Sequence, residues 1–250
     1  GPDVIAPAVS QPVVITVHDM TTFLFPQFHA RFNRLFMRWA VPHMVQRASM
    51  VIADSHSTRN DLLRLTSVSP DKVTVVPCGV DHARFGLRNR EQAVIRIRET
   101  LGINEPYLLG VGTLEPRKNL HTLLKAYAQL PASAPTLVLA GARGWGEGPL
   151  FQTVKEHGLA ERVRFTGFVD DSLLADLYAV ASIFIYPSWY EGFGLPVLEA
   201  MACGSPVITS RVSSLPEVGG NAAIYVEPGD ANELATAIQD LLEQPKARST

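Results

Sequence analysis

Apolar residues in this chain come in short runs separated by amphipathic stretches, and the rhythm is clearest after about residue 105. The runs there are Tyr107–Val111, Thr136–Ala140, Val163–Thr166, Ile183–Tyr186, Val207–Thr209 and Ile224–Val226, each read as a strand. Helices are predicted between them at about Leu120–Leu130, Leu150–His157, Ser172–Val180, Pro196–Cys203 and Ala231–Leu242. The last places Leu234, Ala235, Ile238, Leu241 and Leu242 on one face, the spacing of an amphipathic helix. Short apolar strands alternating with helices predict a parallel sheet covered on both faces. Ligands of such sheets bind beyond the carboxyl ends of the strands, which draws attention to Gly112-Thr113, Gly141-Ala142, Gly167-Phe168-Val169 and Pro187-Ser188.

The first part is sparser. Strands are predicted at Pro12–Val17, ending in His18-Asp19, at Met50–Ala53, and at Val73–Val76, closed by Pro77-Cys78-Gly79. A helix is expected over Phe28–Arg47, interrupted or kinked near Pro42, and another over Ser55–Leu65, with Thr58-Arg59-Asn60-Asp61 as a capping box. From there to about Glu105 the pattern weakens and charge rises through Arg84, Arg88, Arg90, Glu91, Arg96, Arg98 and Glu99. The expected organisation is a first lobe over 1–85, a connection over 86–104 and a second lobe over 105–250. No internal repeat or low-complexity segment is found.

Composition narrows the classes. At 250 residues and 46% hydrophobic the chain can bury a substantial core. Its 22 basic and 24 acidic residues nearly cancel, which argues against a general nucleic-acid binder. Two cysteines, Cys78 and Cys203, lie far apart without metal-ligand spacing, and a reduced, cytoplasmic protein fits; the seven histidines show no metal-binding spacing either. No apolar run reaches the length of a membrane span, and Gly1-Pro2-Asp3 does not open a signal peptide. Arg31, Arg34, Arg38 and Arg47 share a segment with Phe32, Leu35, Phe36 and Trp39. That mixture suits peripheral contact at an inner membrane surface, although a core-packing helix with a solvated basic face is the preferred reading.

The richest stretch is Tyr186–Pro206. The apolar run Ala181–Tyr186 stops at Pro187, a glycine-bracketed loop Glu191-Gly192-Phe193-Gly194 follows, and Pro196 takes the place of a first helical residue. Gly204 and Pro206 close the helix. Glu191 then falls in the loop and Glu199 about one turn into an apolar helix. Gly192 and Gly194 allow close backbone approach to an anion at a helix N-terminus, while a carboxylate among Leu195, Val197, Leu198, Ala200 and Met201 asks for a partner. On spacing alone a plain turn followed by an exposed glutamate serves equally well.

After the strand ending at Val111 comes Gly112-Thr113-Leu114-Glu115-Pro116-Arg117-Lys118-Asn119. Arg117 and Lys118 at a strand-to-helix turn suit a diphosphate, and cations at a helix start are otherwise slightly unfavourable, so the pair asks for an anion. The run Gly141-Ala142-Arg143-Gly144-Trp145-Gly146 lacks the dinucleotide fingerprint, which disfavours a nicotinamide-dependent dehydrogenase. His18-Asp19, judged alone, is more often a structural loop pair.

Together these residues resemble glycosyltransferase family 4, retaining sugar-nucleotide transferases of the GT-B fold. The resemblance rests on Val17-His18-Asp19, Ala53-Asp54-Ser55, Val76-Pro77-Cys78-Gly79-Val80-Asp81, Gly112 to Leu120, Phe165-Thr166-Gly167-Phe168-Val169, and Glu191 and Glu199 with seven residues between them, followed by Ala-Met-Ala-Cys-Gly-Ser-Pro-Val. It implies an α/β protein of two Rossmann-like lobes with parallel sheets. By this resemblance Gly112, Arg117 and Lys118 hold the donor diphosphate, the two cations stabilising the charge that grows on it. Glu199 accepts from the ribose hydroxyls, and Glu191 touches the transferred sugar. Backbone N–H groups of Phe193, Gly194 and Leu195, beside Gly192, approach sugar or phosphate. Phe168 and Val169 cradle the base, and His18 reaches the sugar from the first lobe. The implied catalytic set is His18, Glu191, Arg117 and Lys118, with same-face attack and no metal, cofactor or nucleic acid.

The details of Leu114 to Asn119 and of Trp189-Tyr190-Glu191-Gly192-Phe193-Gly194 are most like mannosyltransferase members. The implied reaction moves a hexose, mannose first, from GDP-mannose, with UDP-glucose and related UDP-sugars next, to a glycan or lipid-linked acceptor. Against the family pattern, roughly the first half of the acceptor lobe is expected to be missing, as is a final helix after Lys246–Thr250, so the N-terminal lobe reads as incomplete. Cys78 stands where the family commonly has asparagine. Two other accounts stay open: a nucleotide-sugar-binding module without transfer activity, and a fragment that self-associates through exposed apolar surface.

Overall fold

The computed structural model describes residues 11–144 and 148–243. The readings made on Gly1-Pro2-Asp3, Trp145, Gly146 and Lys246–Thr250 lie outside the described residues. Two compact units are present. One comprises the chain up to Gly79 together with Tyr190–Gly194 and Ser213–Val218; the other holds Val80–Trp189, Leu195–Val212 and the chain from Gly219 onward.

The first unit is built on a three-stranded parallel sheet of β1 (Val14–Val17), β2 (Met50–Ala53) and β3 (Val73–Val75), in that order. The register pairs Val17 with Ala53 and Ala53 with Val75, so all three strands end at one level. Around them lie α1 (Thr21–Leu24), α2 (Arg31–Arg47) and α3 (His56–Leu65). Ile15, Val17, Val41, Val45, Val51, Ala53 and Leu62 form the buried core. Three boundaries differ from expectation. α2 starts at Arg31 because Pro26–Phe28 forms a separate 3-10 turn, and it runs through Pro42 as one helix. The cap of α3 is Ser55, whose side chain accepts from Thr58 N, so the expected capping box at Thr58-Arg59-Asn60-Asp61 sits one turn too late. At the other end of α2, Lys72 Nζ donates to the carbonyls of Gln46 and Ala48, a cation where the helix leaves acceptors unpaired.

The second unit holds a six-stranded sheet, every pair parallel, in the order β6-β5-β4-β7-β8-β9, where β4 is Tyr107–Val111, β5 Thr136–Ala140, β6 Val163–Gly167, β7 Ile183–Tyr186, β8 Val207–Ser210 and β9 Ala223–Val226. The chain winds outward from β4 through β5 and β6, then returns to start again on the other side at β7, so the winding switches between β4 and β7. Helices α4 (Arg90–Leu101), α5 (Leu120–Ala128), α6 (Gly148–Glu156), α7 (Asp171–Val180), α8 (Leu195–Ala202), α9 (Leu215–Gly219, most of which belongs to the first unit) and α10 (Ala231–Glu243) complete the list. α10 buries Leu234, Ala235, Ile238 and Leu241 and packs on α5. At roughly 1.5–3 kcal/mol for each large side chain fully buried, that face contributes several kcal/mol.

The stretch read as connection contains α4, which packs on α7. Arg96 reaches Asp176 of α7 through Nε at 2.6 Å and Nη2 at 2.8 Å, and the Asp176 side chain is 1% exposed. This fork-on-carboxylate pairing is what allows a carboxylate to be buried there.

Candidate functional site

Candidate residues fall into two sets, one in each unit. In the first, His18 follows β1 and Asp54 follows β2. Because Val17 and Ala53 are register partners, the next residue of each strand lands beside the other. His18 Nδ1 lies 2.6 Å from an oxygen of Asp54, which is 6% exposed. Cys78, past β3, completes the row. Burial and the neighbouring Asp54 carboxylate push its thiol pKa up to about 11. Thr21 N donates to Asp19 at 2.8 Å, so Asp19 shapes the start of α1.

The Glu191 loop belongs to this unit and is held on both sides. Ser55 Oγ donates to Gly192 O at 2.6 Å and Thr58 Oγ1 at 3.0 Å. From the other side Glu191 N donates to Ser213 Oγ at 3.0 Å, and Ser214 Oγ lies 2.9 Å from Glu191 O and 2.6 Å from Phe193 O. Glu217, on the same segment, accepts from the backbone N–H groups of His56 and Ser57 at 2.8 and 2.7 Å, capping α3 with a carboxylate. Gly192 is required by space: a Cβ there would stand 1.9 Å from His18 O. Glu191 is thus a buried residue, 7% exposed, positioned through its backbone.

In the second unit the turn after β4 sits at the point where the sheet's winding switches, which is where such sheets bind ligands. Gly112 has φ +137°, and a Cβ on it would meet Lys118 Cε at 3.2 Å, so the lysine stem runs directly over this glycine. Lys118 Nζ is 2.5 Å from Tyr186 Oη, at the end of β7, and 4.9 Å from the centre of that ring. Arg117 pairs with Glu115 at 2.7 Å. The anion that the two cations asked for is therefore supplied in part from within the turn. Trp189 N donates to Arg117 O at 3.0 Å, and Asn119, left-handed at φ 54°, donates from Nδ2 to Pro187 O at 2.9 Å, which ties this turn to the chain leaving β7. Phe168, past β6, is 80% exposed, with Val169 half-buried beside it.

Helix α8 starts at Leu195, one residue before the expected Pro196, and leaves Leu195 exposed. Glu199 is half-buried on it and accepts from Tyr178 Oη at 3.2 Å, the partner its setting required. Burial raises its carboxyl pKa, and the Tyr178 bond offsets this only in part.

The structure therefore groups Glu191, Gly192, Phe193 and Gly194 with His18, and Gly112, Arg117, Lys118, Phe168, Val169, Leu195 and Glu199 with one another. Residue reasoning gave no role to Asp54 or Tyr186, although both lie in stretches it singled out, and missed Tyr178, Ser213, Ser214 and Glu217. Strand register could have found Asp54, and the Ser-x-x-Glu pattern of Ser214 and Glu217 is itself a helix-start signal. Among the described residues no group of three His, Cys, Asp or Glu side chains could hold a metal ion. None of the described helices is long and apolar enough to cross a membrane.

The parallel sheets and the switch-point turn define an α/β architecture of the doubly wound type. The chain belongs to the glycosyltransferases: the model for glycosyl transferases group 1 matches residues 93–250, and that for Glycosyltransferase Family 4 matches residues 3–84. O-antigen chain mannosyltransferase B of Escherichia coli is 34% identical over 99% of this chain and 66% of its own length. O-antigen chain mannosyltransferase RfbU of Salmonella typhimurium is 30% identical over 94% of this chain and 62% of its own. The Anabaena protein HepE, solved in complex with UDP and glucose, superposes with a TM-score of 0.81 at 27% identity, over 95% of this chain and 64% of that one. The fold class is the α/β GT-B type, as the resemblance implied. The chain spans slightly under two thirds of the length of these curated relatives.

Proposed function

We propose that this chain carries the donor machinery of a retaining hexosyltransferase that moves mannose from GDP-mannose to a glycan or lipid-linked hydroxyl on the cytoplasmic side of a membrane. The observation that carries it is the turn after β4. Gly112, Arg117 and Lys118 present two cations at the switch point of a parallel sheet, where a diphosphate would also meet backbone N–H groups. In this reading Arg117 and Lys118 bind the diphosphate and stabilise the charge it gains as the glycosidic bond breaks. Glu199 accepts from ribose hydroxyls, and Phe168 and Val169 flank the base. Leu195, Gly194 and Phe193 offer N–H groups, with Gly192 giving room. Glu191 and His18 contact the sugar.

Mannose is supported by the two relatives named for mannosyl transfer, and the UDP of the HepE complex makes UDP-sugars the next donors to try. Calorimetric titration with GDP, UDP, GDP-mannose and UDP-glucose, without added metal, tests the reading. Selective binding of the guanine pair is expected; a folded sample that binds none of the four overturns it. A nucleotide-sugar-binding module without turnover is the second reading. It is distinguished by donor affinity without transfer to any acceptor.

A further inference from the structure

Within the second unit, the Glu199 carboxylate on α8 faces a phenol on α7. Tyr178 is fully buried, and its ring is held edge-on by Phe184 of β7, 5.2 Å away at 88°, and by Phe85, 6.2 Å away at 66°. Two residues earlier on the same helix, Asp176 is gripped by the fork of Arg96, which fastens α7 close to Tyr178. The phenol hydroxyl is therefore a fixed point, and Glu199 Oε2 accepts from it at 3.2 Å. Burial and the carboxylate beside it hold the phenol far above its ordinary pKa, so it stays a donor. A carboxylate offers about four lone-pair sites, and the phenol takes one of them. Burial also raises the Glu199 carboxyl pKa and so favours the neutral acid, whereas the bond from Tyr178 favours the ionised acceptor.

We infer that Tyr178 is the positioning residue that makes Glu199 a reader of the ribose diol, and that it thereby sets a preference for ribonucleotide over deoxyribonucleotide donors. The inference rests on the proposed contact of Glu199 with ribose and deepens it. A vicinal diol presents two O–H donors side by side, and a carboxylate held in one orientation presents acceptors to match. A glutamate on a helix otherwise has several side-chain torsions to fix on binding, and that ordering weakens affinity. With Oε2 tethered to a phenol that cannot move, the ordering precedes the nucleotide. A site built to bond a hydroxyl also rejects a ligand that lacks it, because a desolvated acceptor is then left without a donor. Tyr178 contributes to that selectivity through Glu199, without touching the nucleotide.

The test is calorimetric titration of the chain with GDP and UDP, each beside its 2′-deoxy and 3′-deoxy forms, in the parent, Tyr178→Phe, Glu199→Gln and the double variant. The parent is expected to prefer a ribonucleotide by about ten-fold or more, the scale of a hydrogen bond to a charged group. Glu199→Gln should lose most of that preference, and Tyr178→Phe should reduce it to about three-fold. Added to Glu199→Gln, Tyr178→Phe should change the ratio no further, since it acts through the carboxylate. Without the phenol bond Glu199 protonates more readily, so the ribose preference of Tyr178→Phe should also fade at a higher pH than that of the parent. Tyr178→Phe keeps the ring and its packing, and urea unfolding checks its fold. A merely structural tyrosine would weaken ribo and deoxy forms alike and leave the ratio and its pH profile in place. That result overturns the inference, as does a ratio that Tyr178→Phe lowers equally in the Glu199→Gln background. The donor reading fails separately: a Glu199→Gln chain that keeps the full ribose preference removes Glu199 from the ribose, and the role of Tyr178 with it. A ratio altered by Glu199→Gln and untouched by Tyr178→Phe refutes the phenol alone.

Discussion

Glu191 and Glu199 belong to one stretch of sequence with seven residues between them, yet they are positioned by different physics. The division between the two units falls between Gly194 and Leu195. On one side, Glu191 is buried in a loop that has no regular structure, and four side-chain hydroxyls, from Ser55, Thr58, Ser213 and Ser214, fix its backbone. On the other, Glu199 is carried by a helix whose packing places it, and one hydroxyl, from Tyr178, meets the carboxylate itself. A loop residue depends on every bond that shapes the loop, whereas a helix residue depends on the helix. Substitutions in the two halves should therefore fail in different ways.

The largest effect is expected at Gly192. A methyl group there meets a backbone carbonyl 1.9 Å away, which cannot rotate aside. Gly192→Ala should cost about 3 kcal/mol or more, in the range of severe overpacking, and should displace Glu191 with it. Urea unfolding measures this; a loss under about 1 kcal/mol would mean that the loop is looser than its bonds indicate. On the helix side, Lys118→Ala and Glu199→Ala should cost only about 1–3 kcal/mol, the scale of a buried hydroxyl losing a partner at Tyr186 or Tyr178, and weaken nucleoside diphosphate binding by about ten-fold or more, the scale of a lost charge-assisted bond. Calorimetry that finds either affinity unaltered removes that residue from the donor site.

The same contrast explains what could be read in the sequence. The six-stranded sheet was legible nearly to the residue, because strands buried on both faces are unbroken apolar runs: Tyr107–Val111, Thr136–Ala140 and Ile183–Tyr186 stand as expected. Helix α4 was not, since only Ala93 and Ile97 are buried and charge covers the rest. Its ends were nevertheless written in the chain, with Asn89 accepting from Gln92 N at the start and left-handed Gly102 at the close. Residues of the candidate site that sit in their own motifs, such as Arg117, Lys118 and Glu199, were visible. Those that act through distant partners were not. Nothing local to Ser213 or Glu217 says that they hold residues 22 or 160 positions away. Such pairings are set by tertiary packing, which local pattern does not encode.

A smaller effect should appear at Glu199 as pH changes. Burial raises its folded-state carboxyl pKa above the ordinary 4.5, so the ionised form opposes folding. The contribution is fully favourable below about pH 4.5 and is lost as pH rises through the folded value. Glu199→Gln, which keeps an acceptor for Tyr178 without the charge, should therefore be slightly more stable than the parent near pH 7, with the advantage vanishing toward pH 4. Thermal unfolding across that range checks the sign.

The smallest expected change concerns the row of strand ends in the first unit, where Asp54 touches both His18 and Cys78. With the Cys78 thiol pKa at about 11, only about a thousandth of it is thiolate at pH 8, so alkylation in the folded chain should be about 100-fold slower than in urea. Burial is the main cause and Asp54 the second, so Asp54→Asn should speed alkylation only a few-fold. The same substitution bears on His18. When Asp54 accepts from Nδ1–H at 2.6 Å, the neutral ring carries its lone pair on Nε2. An asparagine at position 54 can offer either an oxygen or an N–H to Nδ1, and the preference weakens. Nitrogen-15 shifts of the His18 ring should show one tautomer in the parent chain and a mixture in the variant. An unchanged spectrum, with alkylation unchanged as well, would make Asp54 a structural carboxylate and leave the orientation of His18 to the backbone of its loop.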